Sequence, residues 1–239
     1  MSTERQLMVR SRANRLVVSA AKIWLTPKGF RSVGGSSECV FELREADRFG
    51  AVVVRTLNHK LAVGLEVFGS LGFFSAERVF RHFSTNPLCG DNSEPQAAYG
   101  LDLNYVQLTR DPYKSCIVWQ YADEEPAVLE QLKDVVMNFI LATMEPIKTP
   151  DDLIDFQLLK VGETDRFAIG VPGGPDGALR LLTLVRLYRP GIYADVRPRL
   201  EGALDWYQPV SDQVKRHLAY IDQPGQLPLL PDRSAWAGM

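Results

Sequence analysis

Three apolar runs of strand length, 39–44, 51–57 and 61–68, follow one another in this chain with only short polar connectors between them. In the first, Cys39, Phe41 and Leu43 alternate with Glu38, Glu42 and Arg44, the period of two that marks a half-buried strand. The second, with Ala51-Val52-Val53-Val54 at its centre, alternates weakly, which predicts burial on both faces. The connectors, residues 45–50 and Asn58-His59-Lys60, are of hairpin length. Parallel strands need crossovers of a dozen or more residues, so the three runs read as an antiparallel meander. Two further strands are predicted at 101–109 and 115–121 around the turn Arg110-Asp111-Pro112-Tyr113, and a sixth at 167–171. Gly64, Gly69 and Gly72 mark a strand end with a bulge or a close backbone approach.

Helical periodicity brackets this sheet. Residues 4–25 carry Leu7, Val9, Leu16, Val17, Ala20, Ala21, Trp24 and Leu25 at helical spacings, with Ser2 or Thr3 as N-cap and Pro27 with Gly29 as terminator. Ser75 opens a short helix over 75–83. Residues 126–144 form the clearest helix: Pro126 stands at the first helical position, and Leu129, Leu132, Val136, Phe139, Ile140 and Thr143 define its apolar stripe. Thr149 and Pro150 are the N-cap and first residue of another helix. A helix from about 178 to 188 follows, then one over 193–220 broken by Pro198 and Pro209. The fold class expected is therefore α+β: a mainly antiparallel sheet of five or six strands packed on helices, with a C-terminal helical segment. Residues 1–165 form its α+β core, 166–222 a helical part packed on that core within one domain, and 223–239 an extended tail.

Composition narrows the function classes. Hydrophobic residues make up 46% and charged residues 23% of 239, ordinary globular values that exclude collagen-like or disordered chains. Cys39, Cys89 and Cys116 are too few and too scattered for a disulfide framework or a zinc site, which fits a reducing, cytoplasmic location. No window approaches the roughly 18 apolar residues of a membrane span, so no membrane association is expected. A net charge of −2 makes nucleic acid an improbable partner.

Catalytic motifs are weak. His59 lies in a polar hairpin turn, His82 in the aromatic helix end Val79-Phe80-Arg81-His82-Phe83, and His217 in a basic helical stretch. None has metal-pair spacing, and His59 and His82 are the catalytic candidates that remain. Cys39 and Cys116 sit in apolar strand contexts and read as core. The Gly- and Pro-rich 171–180 segment lacks the P-loop and dinucleotide fingerprints, and Pro175 removes a donor that a phosphate cradle needs. No cofactor and no metal are expected.

Charge patterning is the feature that stands out. Residues 1–90 hold 13 basic and 7 acidic side chains, 91–165 hold 5 and 15, and 166–239 hold 9 and 7. Within the acidic stretch, Asp123-Glu124-Glu125 and Asp151-Asp152 with Asp155 are clusters. A surface of this kind steers association with a basic protein, and these six carboxylates are the candidate partner-binding residues. Arg180, Arg186, Arg189, Arg197 and Arg199 accompany Tyr188, Tyr193, Trp206 and Tyr207 in the C-terminal helices. Such a set suits an interface, either between copies of the chain in a homo-oligomer or within it, where the acidic middle segment receives the arginines.

An N-terminal helix, then Thr26-Pro27-Lys28-Gly29-Phe30, a Phe41-Glu42-Leu43 strand, a meander and Val63-Gly64-Leu65-Glu66-Val67-Phe68-Gly69 together resemble a group of small bacterial proteins. That group has an N-terminal helix, a Gly-Phe step into a sheet and a late helix pair, and some members are of immunity type, neutralising secreted toxins. The resemblance spans about residues 8–160 and carries over no catalytic residue. It implies a non-enzymatic, immunity-type protein-binding function, to which the charge pattern adds an acidic docking face. The alternative from the residues is a small hydrolase or transferase whose site joins loops 84–98 and 172–177 to a histidine.

Overall fold

The computed structural model describes residues 5–33, 38–83, 101–104, 116–163, 174–204, 212–225 and 227. The chain opens with α1 (Arg10–Leu25), followed by strands β1 (Arg31–Ser32), β2 (Glu38–Arg44), β3 (Arg48–His59) and β4 (Ala62–Phe73). Helix α2 (Phe74–Phe83), β5 (Leu101–Asn104) and β6 (Ile117–Trp119) come next. Helix α3 (Glu125–Asp134) runs on through a π-helical stretch, Val135–Leu141, to a last α-turn at Ala142–Met144. The remaining helices are α4 (Pro150–Glu163), α5 (Gly174–Tyr188), α6 (Tyr193–Arg199), α7 (Glu201–Leu204) and α8 (Asp212–Ile221). The architecture is α+β, with a mainly antiparallel sheet and C-terminal helices, as the strand and helix periods predict. No helix among the described residues is long and apolar enough to cross a membrane. The expected strand at 167–171 and loop at 84–98 lie outside the described residues.

Contacts gather the chain into two compact units that interleave in sequence: Met1–Leu71 with Asp102–Pro146, and Gly72–Leu101 with Ile147–Met239. The sheet runs β1-β2-β3-β4-β5, with β6 also paired to β4. In the first unit, the β2–β3 register sets Cys39 opposite Val54, Phe41 opposite Val52 and Leu43 opposite Gly50. These residues share the inner face, against which α1 and α3 pack. Because side chains alternate, Glu38, Val40, Arg55 and Glu66 fall on the outer face, where Arg55 donates to Glu38 at 2.8 Å. Helix α1 contributes Ala13, Val17, Ala21 and Leu25, one residue per turn, all fully buried. Gly29 ends it at φ +87°, donating its N–H to the Thr26 carbonyl at 3.0 Å, a conformation that favours glycine.

Three local expectations are corrected. Helix α1 starts at Arg10 with Val9 as an N-cap that lends no side chain, rather than at Ser2 or Thr3. Residues 6–8 instead pair with the end of the sheet: Met8 N–H donates to the Gln120 carbonyl at 2.9 Å, and Ala122 N–H to the Gln6 carbonyl at 2.8 Å. Those backbone groups are satisfied by strand pairing and are not free for a helical turn. Strand β4 continues to Phe73, through Gly69 and Gly72. The 126–144 helix widens into its π-helical stretch, which turns Phe139 outward to 36% exposure and buries Val135, Val136, Ile140 and Leu141.

The second unit is built around α5, whose residues 177–185 are all buried and which contacts α2, α4, α7 and α8. A helix apolar around its circumference belongs at the centre of a bundle. It begins at Gly174, four residues earlier than expected, since Pro175 suits a first turn where N–H groups have no helical partner. The 172–177 segment is thus helical from Gly174 onward, and residues 172–173 lie outside the described residues.

Candidate functional site

The first acidic cluster surrounds the start of α3. Glu124 turns back to accept the backbone N–H groups of Gln120 and Tyr121, each at 3.0 Å, and holds the entry to the helix. Arg5 lies over the Tyr121 ring, 4.0 Å from its centroid, and donates to Asp123 from Nη2 at 2.9 Å and from Nε at 3.0 Å. It reaches Glu124 at 3.2 Å, while Arg12 donates to Glu125 at 3.4 Å. Asp123 is held below the usual carboxylate range chiefly by its hydrogen bond from Arg5, and Glu124 by the N–H of Tyr121. Three carboxylates here face two guanidinium groups of the same unit.

The second cluster surrounds the start of α4. Thr149 caps the helix as its spacing predicts, its Oγ1 accepting the Asp152 N–H at 3.2 Å. Asp152 answers by accepting the N–H groups of Thr149 at 2.8 Å and Lys148 at 3.0 Å, and the Thr149 hydroxyl at 2.8 Å. These bonds, that of the Thr149 hydroxyl first, lower its pKa. Arg189 is shared by Asp151 and Asp155, so the acidic segment receives one of the C-terminal arginines, as the charge pattern suggests. Asp155 is lowered mainly by that arginine's hydrogen bonds. The Asp151 and Asp155 side chains remain 54% and 64% exposed. This cluster keeps an acidic surplus even with Lys148 counted, and both outer carboxylates are open to solvent.

Other arginines of the C-terminal set are used inside the second unit. Arg186 donates to the carbonyls of Ile221 at 2.9 Å and Gln223 at 2.6 Å, and Arg197 donates to Asp222 at 3.3 Å. Trp206 and Tyr207 lie outside the described residues.

The catalytic candidates sit in different surroundings. His82 is half-buried on α2, its ring edge-on to Phe83 at 5.0 Å. His59 is exposed at the end of β3, and its Nε2 lies 2.7 Å from the point where a Cβ on Gly64 would stand. Cys116 Sγ lies 3.1 Å from that same point. Cys39 is core as expected, 1% exposed, and burial pushes its thiol up to about 11. Cys116, also read as core, is half-buried, and its Sγ borders the same space over Gly64 as the His59 ring. The reason is its position: it precedes β6 by one residue, and that strand covers only residues 117–119.

Sequence reasoning missed a second histidine environment. His217 is 1% exposed, stacked on Phe83 at 5.1 Å, with Nε2 2.9 Å from Thr183 Oγ1. The Thr183 hydroxyl gives its proton to the Leu179 carbonyl at 2.7 Å, so it accepts from His217 Nε2–H, which sets the tautomer. The signal was available in the i, i+3, i+7 spacing of Val214, His217 and Ile221. No group of three or more His, Cys, Asp or Glu among the described residues could hold a metal ion. No protein-family model matches the chain, and neither a curated protein nor a solved structure does.

Proposed function

We propose that the chain is a non-enzymatic protein-binding protein of immunity type, which neutralises a basic toxin by receiving it on an acidic surface. The observation that carries this reading is the start of α4, where Asp151, Asp152 and Asp155 face the single guanidinium of Arg189 and the outer two stay more than half exposed. Their hydrogen bonds hold the Asp152 and Asp155 carboxyls below the usual carboxylate range, and the pairing to Arg189 fixes the geometry of Asp151 and Asp155 before a partner arrives. The cluster at Asp123, Glu124 and Glu125 has the same formal surplus but offers less open carboxylate, because Glu124 and Glu125 are only 30% and 31% exposed and are engaged by backbone N–H groups and by Arg12. A partner's lysines or arginines would add to the α4 cluster and raise the rate of encounter.

The test is co-purification with the product of the adjacent reading frame, followed by light scattering. A stable complex that dissociates with added salt supports the reading; no complex at low salt overturns it. The second reading, a small hydrolase or transferase, is favoured by one observation, that His59 Nε2 and Cys116 Sγ border the same space over Gly64. It would give the histidine the nucleophile that the sequence alone did not supply.

A further inference from the structure

We infer that Cys116, with His59 as its base, is a thiol–disulfide exchange site for low-molecular-weight disulfides of the glutathione type. Gly64 makes the site: with no side chain on β4, the imidazole and the thiol converge on the space a Cβ would fill, at 2.7 and 3.1 Å from it. Val118, directly opposite Gly64 in the β4–β6 register, is 59% exposed, so among the described residues a small reagent has access beside the site. His59 is exposed as well. Cys39 offers the contrast: it lies on the inner face against Asn14, with Sγ 3.0 Å from Oδ1, and no reagent reaches it.

The chemical class follows from what the corner holds. Disulfide exchange needs a thiolate, a base for its proton and a path to sulfur, and Cys116, His59 and the exposed face at Val118 offer these three. His59 Nε2 takes the Cys116 proton, and Sγ attacks one sulfur of the small disulfide. A new S–S bond forms to Cys116 as the reagent's own S–S bond breaks, and the departing thiolate takes the proton back from His59. Cys116 is oxidised, the departing half of the reagent is reduced, and the protein is left as a mixed disulfide. Cys39 is buried against Asn14 of α1 and does not resolve it.

The experiment uses the reduced full chain with Cys89→Ser, incubated with glutathione disulfide at pH 7 and followed by intact-mass spectrometry and peptide mapping. One adduct at Cys116 and none at Cys39 is expected. His59→Gln should slow it by about fivefold or more. Gly64→Ala keeps both reacting residues but places a methyl group where they meet, and should slow it similarly. Rates for both variants equal to that of the parent, or a Cys116 no faster than the same thiol in the urea-unfolded chain, would overturn the assignment.

Discussion

His217 shows how far a single residue's surroundings can depart from its neighbours in sequence. Its chain neighbours Lys215 and Arg216 suggest a solvated basic stretch, yet the helical period turns the imidazole into a cage of Phe80, Phe83 and Thr183. Burial is the main cause that lowers its pKa to about 3, and the charge of Arg180 adds to it. The unfolded chain binds a proton at this position below about pH 6.5, while the folded chain does so only near pH 3. Between those values the unfolded state holds more protons, so stability falls as pH falls, with a slope approaching about 1.4 kcal/mol per pH unit. Urea unfolding at pH 7, 6 and 5 should show this loss, and His217→Gln should flatten it. An unchanged pH dependence in the variant would mean that another group titrates. Cys116 was misread for the opposite reason: its apolar neighbours suggested core, but strand pairing stops one residue short of it.

At the scale of elements, what was legible is whatever a local period or cap encodes. The antiparallel meander, the stop at Gly29 and the start at Thr149-Pro150 all follow from residues within a few positions of the feature. What escaped depends on distant partners: the strand-like pairing of residues 6–8, the extension of β4 and the π-helical widening of the 126–144 helix. The same holds for the link between α2 and α5. Glu77, 3% exposed, accepts Arg180 Nε at 2.9 Å and Nη2 at 3.1 Å, while the guanidinium lies 3.6 Å from the Phe80 ring centroid. Loss of the Glu77 carboxylate would take a buried counter-charge from Arg180, 6% exposed, and from Arg81, whose Nε lies 3.4 Å from Glu77. Glu77→Gln should therefore destabilise the protein by about 3–5 kcal/mol, and the double replacement Glu77→Leu, Arg180→Met by much less. Chemical denaturation of the three proteins checks this; equal losses in the single and double variants would show that the pair is not coupled.

At the scale of the whole molecule, part of the charge asymmetry along the sequence is used within the fold. The basic N-terminal residues Arg5, Arg12 and Lys28 meet the acidic middle at Asp123, Glu125 and Glu145, all inside the first unit. Exposed pairs of this kind each contribute little to stability and are weakened by salt. The two units also interleave, a long-range arrangement that no local period encodes. The cluster on α4, with Asp151 and Asp155 more than half exposed around one guanidinium, is where the account places a partner. The most direct measurement is the association rate with the adjacent-frame product across a salt series, for the parent chain, for Asp151→Ser with Asp155→Ser, and for Asp123→Ser with Glu125→Ser. The account predicts that the α4 variant associates more slowly with a flatter salt dependence, while its dissociation rate and the α3 variant's association rate stay close to those of the parent. An α4 variant that associates at the parent rate throughout the series would contradict it.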